Sequence, residues 1–197
     1  MDEGRIGVRI EVILLRTDAA GQLGFRVIRA PLGSDHPDRC ARRLAGLPAA
    51  GPALLHSTSW RYDQGGAVVL SYVAAPEVRP ELPARPLPDV VIALSAAPDR
   101  PAPVRIGVRN VAAHGVRHLA MLMRTDPVVR AGLLAFPPLA AAVWRAEPAL
   151  SGQLTMPAAG PSVGPSGLDL ALDDLPPTGR PRRTWPSRTW PGRIWAN

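Results

Sequence analysis

Residues 54–73 read LLHSTSWRYDQGGAVVLSYV, two runs rich in β-forming residues joined by Asp-Gln-Gly-Gly. Glycine tolerates the positive φ that a tight reversal demands, so this stretch predicts a β-hairpin. An isolated hairpin is marginal in water, which commits the chain to a larger sheet covered by other elements. Strict alternation along the first arm groups His56, Thr58, Trp60 and Tyr62 on one face and Leu55, Ser57, Ser59 and Arg61 on the other.

The flanking segments supply the rest of that sheet and its cover. Val8, Ile10, Val12 and Leu14 alternate with Arg9 and Glu11 before Ile13 and Leu15, so a strand is expected that is polar on one face at its start and buried on both at its end. TDAAGQ turns the chain, and Leu23, Phe25 and Val27 return it as a second strand. Ser34 or Asp35 is expected to cap a short helix, with Pro37 in its first turn and Gly46 as a left-handed stop. Its outward positions are Arg39, Arg42 and Arg43. Residues 74–88 are proline-rich and read as a loop, followed by strands at VVIAL (90–94) and VRIGV (104–108). Asn110 is expected to cap a helix to about Thr125, Asp126-Pro127 to start another through about Phe136, and Leu139, Val143 and Ala146 to mark a third, ended by Pro148.

These readings predict one α+β domain over residues 5–147, a mixed or antiparallel sheet with flanking helices. Residues 148–197 lose periodicity and are rich in glycine, proline and serine, so they are expected to form a disordered extension.

Charge divides along the same boundary. The formal net charge is +7, and all 23 basic residues are arginine. Residues 178–197 hold 5 of these arginines and no acidic group, which leaves the preceding part of the chain at only +2. Arginine beside Trp185, Trp190 and Trp195 is suited to stacking on single-stranded nucleic acid or to an anionic surface, so the tail is a candidate nucleic-acid contact. Cys40 is the single cysteine, which excludes an internal disulfide and fits a reducing, cytoplasmic setting. The longest apolar stretch, residues 131–144, is shorter than the roughly 20 residues a spanning helix needs and contains two prolines, so no membrane span is expected.

Several motifs suggest chemistry. Gly160-Pro161-Ser162-Val163-Gly164 matches the G-x-S-x-G pattern, but a nucleophile elbow requires a strand before it and a helix after it, and prolines surround this one. His114 and His118 are one helical turn apart, without an intervening glutamate or a third ligand at fixed spacing, so packing or capping is expected of them. In HSTSWRYD, adjacent strand residues face opposite ways, so His56 and Ser57 do not make a nucleophile and base pair by adjacency. Arg61 is the candidate anion anchor there, with His56 and Tyr62 as further ligand contacts.

The order of elements (strand, glycine turn, strand, short helix, Gly-Leu-Pro, hairpin with VVLSYVAAPE, helices) resembles the Nudix hydrolases across roughly residues 8–135. Their box, G-x5-E-x7-R-E-U-x-E-E-x-G-U with U aliphatic, places helical glutamates around divalent cations. Aligning Gly46-Leu47 with its final G-U puts Arg39 on the box arginine, Ala41 on the first U, and Cys40, Arg43 and Leu44 where the three clustered glutamates belong. The upstream glutamate falls on Pro31 and the first glycine on Phe25. Magnesium requires hard oxygen ligands, and an arginine in a ligand position repels it. The resemblance therefore implies a degenerate, non-hydrolytic domain that binds a nucleotide or small anionic ligand, or serves as an interaction module. Its expected contacts are Arg61, His56, Tyr62 and Arg39, with no cofactor. Magnesium belongs to the alternative, an active hydrolase whose metal ligands come from other parts of the chain.

Overall fold

The computed structural model describes residues 7–48, 51–93, 95, 99, 103 and 105–149. In chain order these form β1 (Val8–Thr17), β2 (Leu23–Pro31), α1 (Pro37–Ala45), β3 (Leu54–Tyr62), β4 (Val68–Ala75), β5 (Arg85–Pro86), α2 (Val108–Thr125), α3 (Pro127–Leu134) and α4 (Pro137–Arg145). The five strands make one mixed sheet in the order β3-β4-β1-β2-β5. The class is α+β, as expected.

β1 occupies the centre because Ile10 to Leu15 are apolar on both faces apart from Glu11, and all six are buried. It pairs antiparallel with β2, from Arg9 opposite Pro31 to Thr17 opposite Leu23, and parallel with β4, from Val8 opposite Val68 to Leu14 opposite Ala74. The two hairpins thus meet along a single parallel seam, with α1 in the connection between them.

Each face of the sheet has its own cover. Ile10, Val12, Leu14, Tyr72 and Ala74 pack against Cys40, Ala41 and Ala45 of α1. Ile13, Leu15, Phe25 and Val73 face the other way, into the layer formed by α2, α3 and α4. Gly115 permits α2 to approach, since a Cβ there would lie 3.2 Å from Val73 Cγ2. α1 stops at Gly46, whose φ of 69° favours glycine, and the Gly46 and Leu47 amides donate to the Arg43 and Arg42 carbonyls.

Several local expectations are corrected. His36, not Ser34 or Asp35, caps α1, its Nδ1 accepting from the Asp38 amide at 3.3 Å. Asp35 instead pairs with Arg39 and Arg43. Gly107 caps α2, while Asn110 sits inside the first turn and its Oδ1 accepts from the Gly107 amide at 3.0 Å. No strand forms over residues 90–93 or 105–107; Leu94 and Val104 lie outside the described residues. In the first of these segments Ile92 is buried in the core and Val90 packs against it, as Leu87 does just upstream, whereas Val91 is exposed. The G-x-S-x-G segment and the arginine and tryptophan tail lie outside the described residues. No helix among the described residues is long and apolar enough to cross a membrane.

Candidate functional site

The polar residues of β3 are sorted by a bulge. Ser57 opposes Tyr72 and Ser59 opposes Ser71, which leaves Thr58 as an extra residue between two regular stretches. Directly paired residues share a sheet face, so Leu55 and Ser57 point to the α1 side whereas Ser59 and Arg61 point to the helical layer. His56, opposite Val73, also faces the helical layer. Trp60 and Tyr62, opposite Leu70 and Val68, face the α1 side. The single alternation expected from sequence is therefore corrected: the extra residue exchanges the two faces halfway along the strand. Thr58 itself is turned inward, its Oγ1 donating to the Ser71 carbonyl at 3.2 Å.

On the helical side of the sheet lies an ionic centre built around Glu11, which is 0% exposed. Arg61 reaches it from β3 through Nη1 at 2.8 Å and Nη2 at 3.0 Å, and Arg29 from β2 through Nε at 2.6 Å. Ser71 donates to Glu11 Oε1 at 3.1 Å and accepts from Arg61 Nη1 at 2.8 Å. Burial works to raise the Glu11 carboxyl, but the hydrogen bonds and charge of Arg61, then of Arg29, outweigh it and hold the group below its usual range. Two arginines face one carboxylate, so the centre keeps one positive charge in excess. Arg29 carries it toward solvent, with half of its side chain exposed.

Beside the bulge stands a trio of histidines. The His56 ring stacks on His118 with centroids 5.2 Å apart, and His114 lies 6.0 Å from His118. His114 Nε2 is 3.4 Å from the Thr58 carbonyl. Burial lowers all three basicities. For His118, proximity to His56 and His114 adds to burial and pushes the pKa down to about 4. His118 Nδ1 is buried without a hydrogen-bond partner among the described residues. The rings pack neutral against one another, and no group of three or more His, Cys, Asp or Glu among the described residues is placed to hold a metal ion.

The other two expected contacts lie across the sheet. Tyr62 is exposed and meets Trp60 edge-on at 5.8 Å. Arg39, 77% exposed on α1, pairs with Asp35 at 3.2 Å. The four candidates are thus divided two and two, His56 and Arg61 toward the helical layer, Tyr62 and Arg39 on the α1 side.

On α1, Cys40 is buried, Arg43 pairs with Asp35 at 2.5 Å, and Asp38 accepts from the Tyr72 hydroxyl at 2.7 Å. Burial and Asp38 both push the Tyr72 phenol up. Near the end of β4, Glu77 is ion-paired to Arg26, and its Oε2 is buried with no partner among the described residues.

Compared with protein-family models and with curated proteins, the chain matches none. Sequence reasoning missed Glu11, Arg29 and Ser71 as one centre with Arg61. The available signal was Glu11 itself, a carboxylate set between Ile10 and Val12 in the most apolar strand of the chain.

Proposed function

We propose that the chain is a degenerate Nudix-like domain that binds a nucleotide or another small anionic ligand without hydrolysing it. The observation that carries this reading is α1. It ends in a left-handed glycine, as the box helix of the resemblance would, yet offers Cys40, Arg43 and Leu44 where carboxylates would hold a metal. The acids at and just before its start are occupied, Asp35 by Arg39 and Arg43, and Asp38 by Tyr72. The anion is assigned to the helical side of the sheet, where Arg29 and Arg61 exceed the charge of Glu11. Charged donors prepaired with a carboxylate keep their orientation while retaining hydrogen bonds to give.

The test is thermal unfolding of the full chain against nucleoside mono-, di- and triphosphates and inorganic phosphate, with and without magnesium, since a ligand of the native state raises its apparent stability. A rise independent of magnesium, without turnover and abolished by Arg29→Ala, is expected. Turnover that depends on magnesium would replace this reading with an active hydrolase. No rise with any anion removes it.

A further inference from the structure

The helical layer contains a cleft that plays no part in the sheet-face reading. It measures about 550 Å³ and lies among α2, α3 and α4, with Met123, Leu134, Ala140 and Trp144 as its apolar walls and Arg124 and Arg130 as its only charged lining. Leu134 and Trp144, both of which line the cavity, are exposed, unusual for large apolar side chains.

Both arginines are held in place by backbone carbonyls. Arg124 donates to the carbonyls of Ala120 at 2.6 Å and Trp144 at 2.9 Å, and its guanidinium lies 4.3 Å from the Trp144 ring centroid. Arg130 donates to the carbonyls of Met123 at 2.8 Å and Arg124 at 2.9 Å. The Met123, Arg124 and Trp144 carbonyls belong to the last turns of α2 and α4, so part of the role of both side chains is to cap helices. Capping does not balance the charge: a helix C-terminus carries roughly half a negative charge, and two such ends leave about one positive charge over. No described carboxylate pairs with either arginine. Asp126, at the start of α3, accepts instead from the Val128 and Val129 amides at 2.8 and 3.2 Å. Each guanidinium has five N–H groups and uses two on carbonyls, so both retain donors.

An apolar cleft of this volume with fixed guanidinium groups that keep an excess positive charge is complementary to a molecule that is apolar at one end and anionic at the other. We infer that this cleft binds small amphipathic carboxylates, the alkyl or aryl part lying between Leu134 and Trp144 and the carboxylate at Arg130 and Arg124. The site is independent of α1 and of the Nudix resemblance, so it stands or falls separately from the proposed function.

Calorimetric titration of the full chain with octanoate and 2-naphthoate tests it, with octanol and octylammonium as charge controls. Saturable binding of the carboxylates, absent with octylammonium, is expected. Arg130→Gln should weaken binding by about tenfold or more, as loss of a charged hydrogen-bond donor does. Because Arg130 also ties α3 to α2, Leu134→Asp provides a second variant. It puts a negative charge at the rim of the cleft on an exposed side chain, and should abolish binding while leaving the unfolding temperature near that of the parent. Equal affinity for octanol, unchanged affinity in Leu134→Asp, or no binding by either carboxylate would overturn the inference. So would sedimentation showing a dimer that Leu134→Asp dissociates, since a second copy would then cover the face.

Discussion

Glu11 sits in the middle of the central strand with every other side-chain position from Ile10 to Leu15 apolar, and it survives there only because Arg61, Arg29 and Ser71 reach its oxygens. Glu11→Gln removes the charge but not the volume, leaving Arg61 buried to four-fifths of its side chain without a counter-ion. Breaking a buried pair from one side typically costs about 3–5 kcal/mol, so urea unfolding should show a loss of that order, partly recovered by adding Arg61→Met. Acid should act in two steps. His56, His114 and His118 titrate in the folded protein below the ordinary value of 6.5, with His118 at about 4, so the unfolded chain takes up protons first and stability falls as pH drops through that interval. Asp126 opposes this at His56, whereas Arg117 reinforces it at His114. Glu11, held below its usual range, contributes stability above about pH 4.3 that is lost as pH falls further, through its folded pKa. Denaturant midpoints measured from pH 7 to 3 should therefore decline throughout, and His118→Gln should flatten the upper part alone. Sequence shows the residue types of this centre, and Glu11 stood out by its apolar neighbours. It does not show which arginines converge on Glu11, because β1, β2 and β3 bring them from positions 18 and 50 residues away.

Elements whose ends are decided locally were legible. Gly46 as a left-handed stop, Asp126 as a cap before Pro127, and both hairpins follow from residue chemistry within a few positions. Gly46→Ala forces a side chain into a φ of 69° with Val78 Cγ2 at 3.4 Å, and should cost roughly 1–2 kcal/mol. Asp126→Ala releases the Val128 and Val129 amides and should cost about 0.5–2 kcal/mol. Both are read from chemical denaturation, and the far-ultraviolet spectrum should hold its helical shape. The bulge at Thr58 was not legible, because nothing in HSTSW distinguishes an extra residue from a regular one. Its position is fixed by β4, which offers Tyr72 and Ser71 as consecutive partners for Ser57 and Ser59. No strand formed over residues 90–93, where the burial of Ile92 comes from the core rather than from a neighbouring strand, nor over 105–107, whose residues are exposed.

At the scale of the molecule, the α+β class followed from the succession of hairpins and helices, whereas the strand order did not. Nothing in the local sequence says that β1 should lie parallel to β4, because that pairing joins segments separated by α1 and β3 and depends on which edges remain free once both hairpins have closed. The order has a consequence for how the chain could be divided. All hydrogen bonds of β1 with β2 lie before α1, all those of β3 with β4 lie after it, and the ladder from Val8–Val68 to Leu14–Ala74 joins the two hairpins, with β5 adding a short two-residue pairing to β2. A cut in the connection between α1 and β3 would sever no strand. Residues 1–50 and 51–197, produced as separate polypeptides, should complement each other on mixing, with the seam serving as the recognition edge. Recovery of the parent circular dichroism only when both fragments are present would establish that the chain divides there into complementary halves, and a proline at Val12 in the first fragment should prevent the reunion.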